Sequence, residues 1–327
     1  MSTVGTINFA QAIGQALADA MRADPRVILL GEDIGEAGGA FGVTRGLWAE
    51  FGGTRVRDFP ISEAALVGTA VGAALAGYRP VAEIMFMDFM TLAMDALVNQ
   101  AAKARFMFGG RASVPLVVRA PHGGGIHAGA QHSQCLEAWF AHVPGLQVVC
   151  PATPADAYGL LRGAIDNPNP VVFVEHKSLY AREGGLAPDQ GAIPFGQARV
   201  ARAGRDVTVV TYGASVYEAE AAAATLAAEG VEVEVIDLRS LQPWDEAAVL
   251  SSLSRTHRLV VFHEAVEAFG IGAEIAARMA DVGFDFLEAP IVRVGAPFMP
   301  VAYAPPIEAA YTPDAGRLLA GIRRILG

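Results

Sequence analysis

Short apolar runs recur along the first half of the chain at the spacing of a strand–helix–strand repeat. Arg26–Leu30 (RVILL), 80–84, 114–119, 146–150 and 171–175 have strand length. Helical periodicity fills the gaps at about 62–77, 87–107, 134–141 and 154–166. Strands this apolar cannot leave a face in water. The alternation therefore restricts the chain to an α/β fold with a parallel sheet covered by helices on both faces. A first helix at 8–22 precedes the first strand. Its apolar stripe is Phe9, Ile13 and Leu17, and Asn8 with Gln11 three residues on forms a capping-box pattern.

The pattern breaks in the Gly- and Pro-rich stretch from Lys177 to Gly196 and then resumes. Strands are expected at 206–212, 231–238 and 259–262, with helices at 214–229 and 270–282. The length of 327 residues allows about two domains. The expected division is 1–177, a linker at 178–197, and 198–327.

Charge excludes several function classes. There are 24 basic and 34 acidic residues, a net charge of −10. General nucleic-acid binding needs the opposite balance. Lys103 and Lys177 are the two lysines, so no basic run is present to hold an anionic membrane. The longest stretches without Asp, Glu, Lys or Arg are Met1–Ala18 and Ala138–Ala155, 18 residues each, and both are too polar to span a bilayer. The two cysteines, Cys135 and Cys150, form no disulfide framework or zinc spacing. With no leader pattern at the N-terminus, a cytoplasmic protein is expected. A hydrophobic content of 53 % is high and suggests surface covered by a partner.

Three segments could carry chemistry. Ser62-Glu63 begins a helix, where a carboxylate suits the dipole and a Ser suits the cap. The same helix carries Ala64, Gly68, Gly72 and Ala76 four residues apart, a small-residue stripe suited to close helix approach. If that face is covered, Glu63 is buried and needs a proton-exchanging partner. Glu83–Met90 (EIMFMDFM) is either core packing or the wall of a pocket for a flat ring. Gly123–Gln134 (GGGIHAGAQHSQ) is a mobile loop with two histidines, either solvated or acid/base groups. His122, His127 and His132 do not form a metal-site pattern. GxSxG, Walker and GxGxxG motifs are missing; Phe269–Gly272 (FGIG) lacks the third glycine of a dinucleotide loop.

The ordered set Leu30–Ile34 (LGEDI), Arg55–Glu63 (RVRDFPISE), Gln131–Gln134 (QHSQ), Glu137–Leu146 (EAWFAHVPGL), Glu175–Lys177 (EHK) and His263–Ala265 (HEA) resembles a known family. It is the β subunit of the thiamine-diphosphate-dependent 2-oxo acid dehydrogenases, the decarboxylase component of pyruvate, acetoin and branched-chain complexes. The resemblance implies a transketolase-like fold: a pyrimidine-binding domain followed by a transketolase C-terminal-like domain. It implies a thiamine diphosphate shared with an α subunit that carries a GDG…NN motif and holds Mg2+. This chain has no GDG. An α2β2 heterotetramer and a lipoyl-bearing acyltransferase core are the implied partners.

Residue by residue, the resemblance assigns Glu63 to the hydrogen bond with the pyrimidine ring nitrogen, and Phe89 and Met85 to the pyrimidine pocket. It assigns His132 to proton donation or orientation during carbonyl addition or lipoyl transfer. It also implies a potassium ion near Leu116, Ala164, Ile165, Asn167 and Asn169. The implied activity is oxidative decarboxylation of a 2-oxo acid, pyruvate foremost, or cleavage of acetoin, with reductive acylation of a lipoyl group. A branched-chain 2-oxo acid member, a transketolase-type carboligase half and a non-catalytic platform are the alternatives. The 296–304 stretch APFMPVAYA departs from the family pattern and puts the details of core docking in doubt.

Overall fold

A computed structural model describes residues 4–326, and these divide into two compact units. The first comprises 4–122 and 139–195; the second comprises 123–138 and 196–326. The fold is α/β in both.

The strands of the first unit are β1 (Gly5–Asn8), β2 (Val27–Gly31), β3 (Val56–Asp58), β4 (Arg79–Glu83), β5 (Val117–His122), β6 (Gln147–Val149), β7 (Val171–His176) and β8 (Glu183–Leu186). The main sheet runs β6-β7-β5-β4-β2-β3, every pairing parallel. β5 and β7 are buried at every position, as expected for central parallel strands. The first helix, Phe9–Ala23, starts with the anticipated capping box. Gln11 N–H donates to Asn8 Oδ1 at 2.8 Å, and Asn8 N–H donates to Gln11 Oε1 at 3.1 Å. Its stripe of Phe9, Ile13 and Leu17 is fully buried. Each such side chain contributes about 1.5–3 kcal/mol.

Four features differ from the sequence expectation. β5 begins at Val117 and reaches His122, because Pro115 cannot donate to a ladder. The 178–197 stretch is no bare linker: β8 pairs antiparallel with β1, and the chain groups with the first unit as far as Phe195. Gly184 and Gly185 give this strand no side-chain alternation to read. The expected 87–107 helix is a 3-10 segment Met87–Ala93, a π-helix Asp95–Ala101 and a short α-helix Ala102–Met107. Such irregular turns re-aim side chains, and here they flank the cavity described below. Finally, Gly123–Ala138 groups with the second unit although it interrupts the first in sequence.

A buried ion network joins β4, β5 and β7. The Arg119 guanidinium is 2 % exposed and bidentate to Glu175, at 2.6 and 2.9 Å, and donates to Glu83 at 2.5 Å. Tyr180 O–H donates to Glu175 at 2.7 Å. Burial disfavours the guanidinium charge, but the Glu175 and Glu83 carboxylates outweigh it and hold the arginine proton above its ordinary affinity.

The second unit holds β9 (Arg199–Arg202), β10 (Val207–Thr211), β11 (Val233–Asp237), β12 (Ser240–Gln242), β13 (Leu259–Val266) and β14 (Val292–Ala296). Five of them form a sheet ordered β14-β13-β10-β11-β9, parallel except for β9. Its core packs Val209, Val235 and Phe262 against Leu226, Leu318 and Ile322. The FGIG segment is accounted for here. His263 is fully buried, with Nδ1 on the Ala265 carbonyl at 3.1 Å and Nε2 accepting from Gly272 N–H at 3.3 Å. A Cβ on Gly272 would lie 2.6 Å from that Nε2, so the glycine makes room for a histidine rather than a nucleotide. Among the described residues, no helix is long and apolar enough to cross a membrane.

Candidate active site

A cavity of about 570 Å³ opens in the first unit at the carboxyl ends of β2, β3 and β4. This is where open parallel sheets take their ligands. The turn after β2 contributes Glu32 and Asp33; the segment after β3 contributes Phe59, Pro60 and Ile61; the helix Glu63–Leu75 contributes its first residue. The segment after β4 contributes Met85 and Phe89. Alternating side chains there divide the labour. Met87 and Met90 are buried core, whereas Met85 and Phe89 are partly exposed and form the cavity wall. Phe86 stacks edge-on against Phe89 at 5.8 Å and orients its ring.

Glu63 is only 5 % exposed. Among the described residues its carboxylate has no hydrogen-bond partner. Ser62 occupies the N-cap position but does not cap; its Oγ–H donates to the Pro60 carbonyl at 3.0 Å. The helix start therefore serves to present a carboxylate, and the small-residue stripe at Ala64, Gly68, Gly72 and Ala76 is left exposed by this chain. Glu32 was not singled out in the sequence. Burial first, and then the Glu63 charge, push its carboxyl above the usual carboxylate range.

The cavity's chemistry is selective. Three acidic residues and no basic residue line it. A diphosphate would be repelled, while a flat ring bearing N–H donors would meet apolar walls and a carboxyl at the edge. These residues fit an aminopyrimidine and not the anionic end of thiamine diphosphate. Ile61 and Leu92 stand at 85 % and 61 % exposure on the rim and leave the cavity open on that side.

His132 lies in the 123–138 segment of the second unit, half-buried, with its N–H turned back to the Gly129 carbonyl at 3.3 Å. The potassium expectation fares differently. The Ile165 carbonyl accepts from Arg79 Nη1 at 2.7 Å, and Asn169 Oδ1 accepts from Arg105 Nη1 at 3.0 Å. The Leu116 and Ala164 carbonyls accept from Val171 and Asn167 N–H, and Asn167 Oδ1 accepts from Asn169 N–H. Two guanidinium groups already bring positive charge to this set. Each of the Leu116, Ala164 and Ile165 carbonyl oxygens keeps a second lone pair beyond these bonds, and such oxygens are the ligands a potassium ion takes.

Residues 5–183 match the family described as transketolase, pyrimidine binding domain, and residues 196–318 match transketolase, C-terminal domain. The chain is 49 % identical to the acetoin:2,6-dichlorophenolindophenol oxidoreductase subunit beta of Cupriavidus necator, over 96 % of both chains. The chain belongs to the E1 β-subunit family of the 2-oxo acid dehydrogenases. E1 β subunits are components of thiamine-diphosphate-dependent oxidoreductases. Another family member, the acetoin:2,6-dichlorophenolindophenol oxidoreductase subunit beta of Bacillus subtilis, is 46 % identical over 98 % of this chain and 97 % of its own. The pyruvate dehydrogenase E1 component subunit beta of Rhizobium meliloti is 41 % identical over 98 % of this chain and 70 % of its own. A solved split-gene transketolase, an inactive β4 tetramer, shares the fold, with a TM-score of 0.82 at 24 % identity over 98 % of this chain and 99 % of that one.

Proposed function

We propose that this E1 β chain supplies the pyrimidine half-site of thiamine diphosphate and, paired with an α subunit, cleaves acetoin to acetaldehyde and an acetyl unit, which passes to a lipoyl group whose disulfide is reduced. The observation that carries the reading is Glu63: a residue only 5 % exposed whose carboxylate, without a partner among the described residues, faces an apolar, acid-lined cavity. Its oxygens stay open to the cavity, where water or a ligand donor can satisfy them. When bound, thiamine diphosphate supplies the carbanion-stabilising chemistry. Glu63 holds and returns a proton at the pyrimidine ring nitrogen. Burial and the Glu63 charge favour the protonated form of Glu32 beside it. Phe89 and Met85 hold the ring flat against the wall and exclude water. His132 donates or accepts the proton at the substrate oxygen.

The partners follow from what this chain lacks. A GDG-bearing α subunit would hold the diphosphate and its Mg2+, since three acidic and no basic residues line this cavity and disfavour the anion. The open rim at Ile61 and Leu92 and the uncovered stripe of the Glu63 helix suit an α2β2 assembly. Acetoin is favoured because two relatives named for it match at 49 % and 46 % over nearly their full length. Pyruvate is the second reading, resting on relatives such as that of Rhizobium meliloti at 41 %.

The test is dye reduction by the co-purified α–β complex, with acetoin, pyruvate and a branched-chain 2-oxo acid compared. Acetoin is expected to give the highest kcat/KM. Higher turnover of pyruvate would select the second reading, and activity on a sugar phosphate alone would select a carboligase.

A further inference from the structure

Glu308 is a buried carboxylate that the cavity does not use. It lies on the short helix Pro305–Tyr311, where Pro305, Pro306, Ile307, Ala309 and Ala310 are exposed. The two buried side chains of this helix are Glu308 and Tyr311, one turn apart. A surface helix normally turns an apolar stripe inward. This one turns in a carboxylate that is 2 % exposed.

Its partners come from one place, the Gly123–Ala138 segment of the same unit. Gly125 N–H donates to Glu308 Oε1 at 2.9 Å, and His127 Nδ1 pairs with Glu308 Oε2. One residue earlier, Gly124 N–H donates to Glu264 Oε1 at 2.7 Å. At the far end of the segment, Tyr212 O–H donates to the buried Glu137 at 2.7 Å. The segment is therefore fastened at both ends by the second unit.

Its backbone is contorted between those ends. Every second residue from 123 to 129 has positive φ: Gly123 at 82°, Gly125 at 91°, His127 at 58° and Gly129 at 74°. Glycine adopts this region freely, and a Cβ on Gly129 would also collide with the Tyr303 ring. For His127 the same conformation is strained and persists only where the surroundings over-determine it. The surrounding group is the Glu308 carboxylate.

We infer that Glu308, acting through His127 and the Gly125 N–H, is a positioning residue that fixes the loop carrying His132. The latch itself stands on the geometry; its effect on turnover rests on the proposed role of His132. His132 follows five residues after the latch, and the turn to Gly129 ties the two together. Without the latch, the three glycines leave the loop free to sample conformations in which His132 is misplaced.

The test uses the α–β complex with His127→Ala, Glu308→Ala and Glu308→Gln. The His127 side chain is 52 % exposed, so its removal does not collapse a core. Amide hydrogen exchange over 123–134 is read alongside kcat and KM. His127→Ala and Glu308→Ala are expected to speed loop exchange by at least about tenfold. They should lower kcat by about tenfold or more with KM little changed, as misplacing a reacting group does. Glu308→Gln keeps an acceptor for Gly125 and should fall between the parent and Glu308→Ala. Unchanged loop exchange in both alanine variants overturns the inference, as does faster exchange with unchanged kcat. Failure of the functional reading has a separate signature: an inactive parent complex whose variants still show faster loop exchange.

Discussion

Two acidic sites lie on neighbouring strands of the same sheet and behave in opposite ways. At the ends of β4, β5 and β7, Glu175 and Glu83 surround Arg119, and every contact is made inside the protein. At the ends of β2 and β3, Glu63 is almost as well buried and has no such partner. Burial of a carboxylate is thus no mark of function by itself. A carboxylate whose needs are met internally supports the fold, and one whose needs are unmet is open to a ligand.

The comparison breaks most visibly at Arg119. Arg119→Leu leaves two buried carboxylates without their cation and is expected to cost about 3–5 kcal/mol, read by denaturant unfolding of the complex. Loss of activity without loss of stability would show the network to be catalytic instead. Tyr180→Phe removes one hydrogen bond to the same charged group. It should cost about 1.5–3 kcal/mol, again without a specific effect on turnover at a temperature where the protein stays folded.

Glu32→Gln sharpens the other side. Burial and the Glu63 charge raise the Glu32 carboxyl in the folded state above its unfolded value. The fold therefore binds that proton more tightly. The parent loses stability as pH rises from the ordinary carboxylate range through the raised value, and the loss stays constant above it. The neutral glutamine escapes this loss, so the variant should be slightly more stable than the parent at neutral pH, with no difference in acid. Melting curves across pH 3–8, a range of about five units chosen to span carboxylate titration, check this. A variant less stable than the parent at neutral pH would remove Glu32 from the pair.

The sequence made much of this readable. The strand–helix alternation is set by local apolar runs, and Glu63, Met85 and Phe89, which the resemblance assigns to one pocket, line one cavity. Other parts were hidden for physical reasons. Arg119 sits in an apolar strand, and its partners Glu83 and Glu175 are 36 and 56 residues away. β3 is three residues long and two of them are charged, so it has no strand signature. Glu32 gains its meaning only from proximity to Glu63. Glu308 stands on a helix with no apolar stripe, and its contacts lie 183 and 181 residues back at Gly125 and His127. The helix expected over 87–107 has suitable periodicity but winds as 3-10 and π turns, a choice made by packing and not by local preference.

The central claim is that Glu63 is a ligand's carboxylate and not the fold's. Glu63→Gln in the α–β complex tests it, with turnover and melting temperature measured on the same preparation. The account predicts that kcat falls by at least about 10²-fold, the scale of a lost proton-transfer group. The melting temperature should stay within about 2–4 °C of the parent, the shift expected for 1 kcal/mol or less. Retained turnover, or a loss of stability matching that of Arg119→Leu, would contradict it.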